Sequence, residues 1–389
     1  MRCFHYCSIE RFPADDGAAY EPSPCSKETG QRDRHPLPDV LSLQHILKSV
    51  SRSFYLSLRI LPKTVQQQVS LAYLFCRAAD TIVDTPAFPR CQRRTLLQVF
   101  RKQFLIDCPS PSDLAQFQHA LLPRQVRPAE QQLFQALPLC FGVFQELSTV
   151  DSQLIRQLVL ALTHGMEMDL AYFPGDTLAT VQALPDMATL ELYTYYVAGV
   201  VGEFWTKIHS VHTPSWKADA LEEHITLGIR FGKGLQLTNV LKDIGSDLLR
   251  GRCYIPQEKL DIYNIKIEEM DYMVNLSYLQ PLILSLVQKA LEDLDWACQY
   301  VMRLPSTAFC LRLACMWPLL FALQTLVLVC RADVVLSPIS AVKISRRAVY
   351  RTMLFSGACL VLPRTFLHYY AVLRQDLLRT LDACTEGRR

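Results

Sequence analysis

The chain has 389 residues and a mass of 44.4 kDa, enough to bury a sizeable core. Half of its residues are hydrophobic, a fifth are charged and the mean hydropathy is +0.12. That is apolar for a soluble protein and points to greasy contents or a nearby membrane surface. The net charge is only +3 and no basic stripe is interleaved with aromatics, which excludes nucleic acid as a partner.

The first segment, residues 1–38, is broken by Pro13, Pro22, Pro24, Pro36 and Pro38, carries mixed charge and lacks a signal-peptide apolar core. It is expected to be a disordered tail. The 14 cysteines are scattered singly with no C-x-x-C pair, so reduced, buried thiols in a reducing, cytoplasmic setting are expected. From about Leu41 apolar residues recur at three- and four-residue intervals, as in Val69-Tyr73-Cys76-Ala79-Ile82 and Ile155-Leu158-Leu162. Proline clusters separate these runs, and no period-two stretch makes a convincing strand. The fold class is therefore all-α: one large helical domain over 39–350, with a helical extension over 351–389.

Thr307–Cys330 is apolar enough to suggest a membrane span, but Arg312, Pro318 and Gln324 favour a buried core helix. Thr365–Leu381 alternates Phe366, Tyr369, Tyr370, Leu373, Leu377 and Leu378 with Arg374, Asp376 and Arg379. This amphipathic helix either caps the domain or rests on a bilayer.

Four constellations carry chemistry. In Arg77-Ala-Ala-Asp80-Thr-Ile-Val-Asp84 the two acids lie one helical turn apart on one face. Most such pairs are solvated helix faces. Here the flanking Leu74, Phe75, Ala78, Ala79, Ile82 and Val83 bury most of the helix, so the acids face something specific. Oxygen-ligated Mg²⁺ suits such a pair, since it binds through one or two carboxylates plus substrate phosphates. The run from Gln236 through Asn239 and Asp243 to Asp247 repeats the device, and Arg250 and Arg252 follow. Guanidinium groups beside a metal site suit diphosphate oxygens. Ser51-Arg52-Ser53-Phe54 offers a further arginine, which is either another diphosphate clamp or a surface residue. Tyr193-Thr-Tyr195-Tyr196-Val-Ala-Gly199-Val-Val-Gly202 combines small residues, which allow close approach, with tyrosines. Those tyrosines either pack a core, or stabilise a carbocation and move a proton.

In combination these motifs resemble the squalene/phytoene synthase family of head-to-head prenyl transferases, from about Leu41 to about Tyr350. The motifs are SRSF, then Tyr73 to Asp84, then YxxYVAGxVG, then QLTNxxKD-x-x-x-D with GRxYIP. The resemblance implies an isoprenoid-synthase fold enclosing a central cavity. It implies Mg²⁺ on Asp80, Asp84, Asn239, Asp243 and Asp247, diphosphate on Ser51, Arg52, Arg77 and Arg252, and Tyr193, Tyr73 and Phe54 at the reaction cavity. Its substrates would be farnesyl diphosphate or geranylgeranyl diphosphate. The segments Met316–Leu326 and Val342–Arg346 resemble the squalene branch, which implies NADPH held through Lys343 and Arg346. The phytoene or dehydrosqualene branch would need no reductant, and non-catalytic relatives would be expected to lose the metal-binding acids. Val83 and Ser246 stand where many squalene synthases carry an extra acid. A monomer with peripheral membrane contact is expected.

Overall fold

The computed structural model describes residues 40–51, 54–105, 111–125, 127–213, 215–216, 220–267, 270, 276–331, 342–361 and 363–386. The expected tail, residues 1–38, lies outside them. The first half carries α1 (Val40–Val50), α2 (Phe54–Arg59), α3 (Lys63–Asp84), α4 (Arg90–Lys102), α5 (Pro111–Leu121), α6 (Pro128–Gln135), α7 (Leu137–Glu146) and α8 (Thr149–Tyr172). After the short strand β1 (Gln182–Leu184) come α9 (Met187–Thr194), a π-helical turn at Tyr195–Gly199, α10 (Val200–His212) and α11 (Leu221–Leu248). Strand β2 (Arg252–Pro256) leads to α12 (Gln257–Ile262), α13 (Leu276–Arg303), α14 (Phe309–Arg331), α15 (Arg346–Val361) and α16 (Pro363–Glu386).

Local chemistry sets several of these ends. The Ser148 hydroxyl accepts the Asp151 amide at the start of α8, and the Asp186 carboxylate accepts the Thr189 amide at the start of α9. Pro111 and Pro128 open α5 and α6, where a missing N–H costs nothing. The fold is all-α, as expected, with one short strand pair beside the helices. β1 and β2 pair in parallel, Gln182 opposite Arg252, and three- and five-residue strands are too short to show a period of two.

Packing divides the core into two clusters. One gathers α3 to α8 with part of α10, where Phe75, Phe100, Phe104 and Phe141 interlock at ring distances of 4.9–6.5 Å. The other gathers α11, α13, α14 and α16 with β2. α14 is long and apolar enough to cross a membrane by length and composition, yet 72% of its apolar window is buried here, as a core helix requires. The amphipathic α16 lies against α14, α15 and α13, with Arg374 gripping Asp295 at 2.8 and 2.9 Å, which matches the capping alternative. The boundary at 350 falls inside α15, and residues 38–389 form one compact unit. All ten described cysteines are free, but Cys91 and Cys310 are exposed rather than buried in apolar runs.

The two clusters meet where α10 and the π turn cross α11. A Cβ on Gly202 would lie 1.9 Å from the Gly228 carbonyl oxygen, and one on Gly232 2.1 Å from the Ala198 carbonyl oxygen. Backbone sits on backbone, so no flexible side chain is available to move aside. Gly202→Ala should therefore cost at least the ~1–3 kcal/mol typical of overpacking. A lowered Tm with near-native helical circular dichroism is the expected result, and an unchanged Tm would contradict this crossing.

Candidate active site

A cavity of about 320 Å³ opens at the seam between the clusters. Helix α3 presents Tyr73, Cys76, Arg77, Asp80, Val83 and Asp84 to it, one face at intervals of three and four residues. Helix α8 adds Leu162, Met166 and Asp169, and α9 with the π turn adds Tyr193 and Val197. Gln236 of α11 and Arg252 of β2 close the wall. Seven of the sequence-derived residues thus come together: Tyr73, Arg77, Asp80, Asp84, Tyr193, Gln236 and Arg252.

Charges on the wall are interlocked. Arg77 donates to Asp80 at 2.6 Å and lies 3.5 Å from Glu130 of α6. Arg252 is held between Asp84 and Asp169, at 3.4 Å from each. The backbone delivers it there because Gly251 turns the chain with a φ of +74°, close against the Gly175 and Thr177 carbonyls. Asp169 also accepts the Tyr254 hydroxyl, and the Tyr254 ring stacks on Tyr193 at 4.7 Å. Burial first, then the Asp169 carboxylate, holds Tyr193 as a neutral phenol by raising its pKa well above the ordinary value. Burial, followed by the Asp80 charge, pushes the Cys76 thiol up to about 12, so it is not a nucleophile.

The second acidic motif continues from the wall along α11. At 100° per residue Gln236, Asp243 and Asp247 share a face, while Asn239 is turned away from Gln236 by about 60°. Asn239 is exposed, is not part of the wall, and its amide oxygen accepts Lys242 at 2.7 Å. Lys242 also lies 3.1 Å from Asp243, bridging two of the expected metal ligands. Asp247 lines a small adjoining hollow with Arg252 and Tyr254. Burial and then Asp243 push its pKa up to about 7, and burial and then Asp84 push Asp80 up to about 6.

Among the described residues no three His, Cys, Asp or Glu side chains are gathered closely enough to hold an ion unaided. The donor set still fits Mg²⁺: all-oxygen pairs whose ionised forms are disfavoured by burial and by each other, with coordination left for diphosphate oxygens. The other expected residues lie elsewhere. Ser51 is buried with its hydroxyl donated to the Leu47 carbonyl. Its neighbour Val50 receives the Tyr73 hydroxyl at 3.5 Å. Arg52 and the Phe54 side chain fall outside the described residues. Lys343 and Arg346 are exposed and absent from the cavity wall. The sequence reading missed Asp169 and gave Tyr254 no role. The available signal was position: Asp169 extends the buried Ile155-Leu158-Leu162 stripe by two further steps, through Gly165.

A family model described as squalene/phytoene synthase matches residues 47–348, and the chain belongs to that family. The presqualene diphosphate synthase of Sinorhizobium fredii is 32% identical over 219 residues, which cover 56% of this chain and 62% of that protein. That of Rhodopseudomonas palustris is 31% identical over 273 residues, covering 70% and 81%. The 15-cis-phytoene synthase of Synechocystis sp. is 28% identical over 267 residues, covering 66% and 65%. The chain thus spans less than two thirds of the length of two of these relatives. Among solved structures, the complex of TcSQS with the ligand E5700 has a TM-score of 0.69 at 20% identity, covering 88% of this chain and 98% of that one. The fold is that of the all-α isoprenoid synthases.

The raised carboxylates set a pH dependence whose sign follows from linkage. With folded pKa values of about 6 and about 7 against an ordinary 3.8, the folded state binds more protons than the unfolded state in between. Stability of the metal-free protein should therefore be full near the ordinary carboxylate pKa and fall as pH rises through about 7. Calorimetry in chelator across that range should show a declining Tm that Asp247→Asn flattens. A Tm rising with pH would overturn the assignment.

Proposed function

We propose that this chain joins two farnesyl diphosphates head to head, forming presqualene diphosphate on a Mg²⁺-dependent site. The observation that carries the reading is one cavity wall on which Arg77 and Arg252 face Asp80, Asp84 and Asp169 beside apolar Leu162, Met166 and Val197. Family membership supports the reaction class, and relatives named presqualene diphosphate synthase support the product.

Mg²⁺ held by Asp80 and Asp84, and by Asp243 and Asp247, would neutralise charge on the departing diphosphate. Arg77 and Arg252 have a matching task. In this structure each is an aspartate's counter-ion, and were a metal ion to take up the acids' charge, each guanidinium would have a planar pair of donors to offer phosphate oxygens. The apolar wall keeps water from the allylic cation, and Tyr193, held neutral and fixed against Tyr254, presents a ring face and a hydroxyl without adding charge. Attack by the second prenyl double bond and proton loss then close the cyclopropane ring.

A reductive second half to squalene would need a nicotinamide site. Lys343 and Arg346 are exposed and off the cavity wall, and no Gly-rich dinucleotide loop is present in the sequence. Those residues do not fit a built dinucleotide site, so no reductive step is derived.

Incubation with farnesyl diphosphate and Mg²⁺, with and without NADPH, tests the reading by mass spectrometry of the extracted products. Presqualene diphosphate independent of NADPH is expected; squalene appearing only with NADPH would restore the reductive reading. Turnover only with geranylgeranyl diphosphate would move the chain to phytoene synthesis. Asp80→Asn and Asp243→Asn should each lower turnover by about 10²–10³-fold, the scale of losing one electrostatic contact to a transition state. Unchanged Tm values in chelator would show that the loss is one of chemistry.

A further inference from the structure

Arg90 and Arg93, in the first turn of α4, are buried but stand outside the cavity wall. Arg90 leaves 9% of its side chain exposed and Arg93 4%. Both guanidinium groups end on one carboxylate, that of Asp176. Arg90 donates from Nε at 2.9 Å, and Arg93 donates from Nη1 and Nη2 at 3.0 and 2.9 Å, one to each oxygen. Arg93 also donates to the Phe88 and Val83 carbonyls, which fastens it to the end of α3 beside Asp84. The Nη1 and Nη2 groups of Arg90 are buried and make no hydrogen bond among the described residues. Two buried cations on one acid leave a surplus of positive charge, which is costly to keep and points to a task.

Asp176 carries the seat of Arg252. It stands between Gly175 and Thr177, and a Cβ on Gly251 would lie 3.1 and 3.0 Å from the carbonyl oxygens of those two residues. The turn at Gly251, with its φ of +74°, therefore rests on the peptide groups that flank Asp176. This loop is stiff, because Thr177 and Thr180 cap each other and a Cβ on Gly175 would lie 1.8 Å from the Thr180 hydroxyl oxygen. On its far side the Gly251 carbonyl accepts the Gln182 amide at 3.3 Å. A displacement at Asp176 is thus handed to Arg252, the residue after Gly251. The same unit reaches Arg252 from its other end. Burial raises the Asp169 carboxyl above its ordinary pKa, and Arg252, the Tyr254 hydroxyl and the charge of Arg90 oppose that rise. Arg90 and Arg252 therefore share Asp169.

We propose that Arg90, Arg93 and Asp176 are positioning residues of the diphosphate site: they lock the Gly251 turn against α4 and so set where the Arg252 guanidinium points. The inference deepens the proposed function and rests on it in one respect, that the anion Arg252 receives is a diphosphate.

The full chain is titrated calorimetrically with inorganic diphosphate in excess Mg²⁺, which requires no turnover. Asp176 is the residue to change, because 41% of its side chain is exposed and its loss removes a negative charge near an anion site. On charge alone, Asp176→Ala should tighten diphosphate binding. Positioning requires the opposite sign: binding weaker by about 10–100-fold, the scale for an outer partner that orients a binding group. Asp176→Asn, which keeps one acceptor oxygen for the arginines, should weaken it less and serves if the alanine variant does not fold. Arg90→Gln should weaken binding as Asp176→Ala does, and Arg90→Lys, which keeps the charge, should restore most of it. In an Arg252→Gln background Asp176→Ala should add no further loss, since it acts through Arg252. Wild type that binds diphosphate while Asp176→Ala binds it equally or more tightly would overturn the positioning role and leave the site standing. Losses that multiply in the Arg252→Gln background would overturn it as well. Wild type that binds no diphosphate would remove the site itself, and this inference with it.

Discussion

Arg252 is the residue on which the site depends. Its guanidinium lies between Asp84 at the end of α3 and Asp169 on α8, while its backbone belongs to β2, directly after α11. One side chain therefore ties the first acidic helix, the helix beneath the cavity and the second acidic helix together. A cluster of acids at an apolar cavity would otherwise repel itself apart. The geometry of the acids and the position of the arginine are one arrangement, and the short β1–β2 pairing with the turn at Gly251 makes that arrangement repeatable. Lys242 serves the second motif similarly, bridging Asn239 and Asp243. Both counter-ions belong to the chain, so part of the acids' charge is offset before any ligand arrives.

The glycine crossing works on the same site from behind. Because Gly202 meets Gly228 and Gly232 meets Ala198 at backbone contact, α10 and the π turn lie almost on α11. That closeness brings Tyr193 and Val197 to the same wall as Gln236. Larger residues at these positions would part the helices and open the apolar side of the cavity to water. The small-residue motif in the sequence is thus about distance between helices, and the tyrosines in it are placed by that distance.

Much of this was readable beforehand. The spacing of Arg77, Asp80 and Asp84 within an apolar run placed them on one face, and Tyr193 and Arg252 were found through their motifs. The core character of α14 followed from Arg312 and Pro318 within it. Asp169 was not found because it stands alone: without a second acid a turn away, nothing in the spacing marks it, and only its place on a buried stripe does so. Asn239 follows the same spacing of threes and fours, and here its exposed amide oxygen accepts Lys242 beside Asp243. The strand pair escaped because its stability comes from a partner about 70 residues distant, as Gln182 lies opposite Arg252.

The π-helical turn at Tyr195–Gly199 adds one residue to what would otherwise be a continuous helix from α9 into α10. Each residue turns a helix by about 100°, so that extra residue sets the phase between Tyr193 upstream and the glycine face downstream. Deleting any one residue of the turn would let a regular helix close, and either the tyrosine or the glycines would swing out of place. What descends with this site is therefore a length as well as a composition. A gain or loss of one residue here would disturb the site as surely as a side chain added at the glycine crossing.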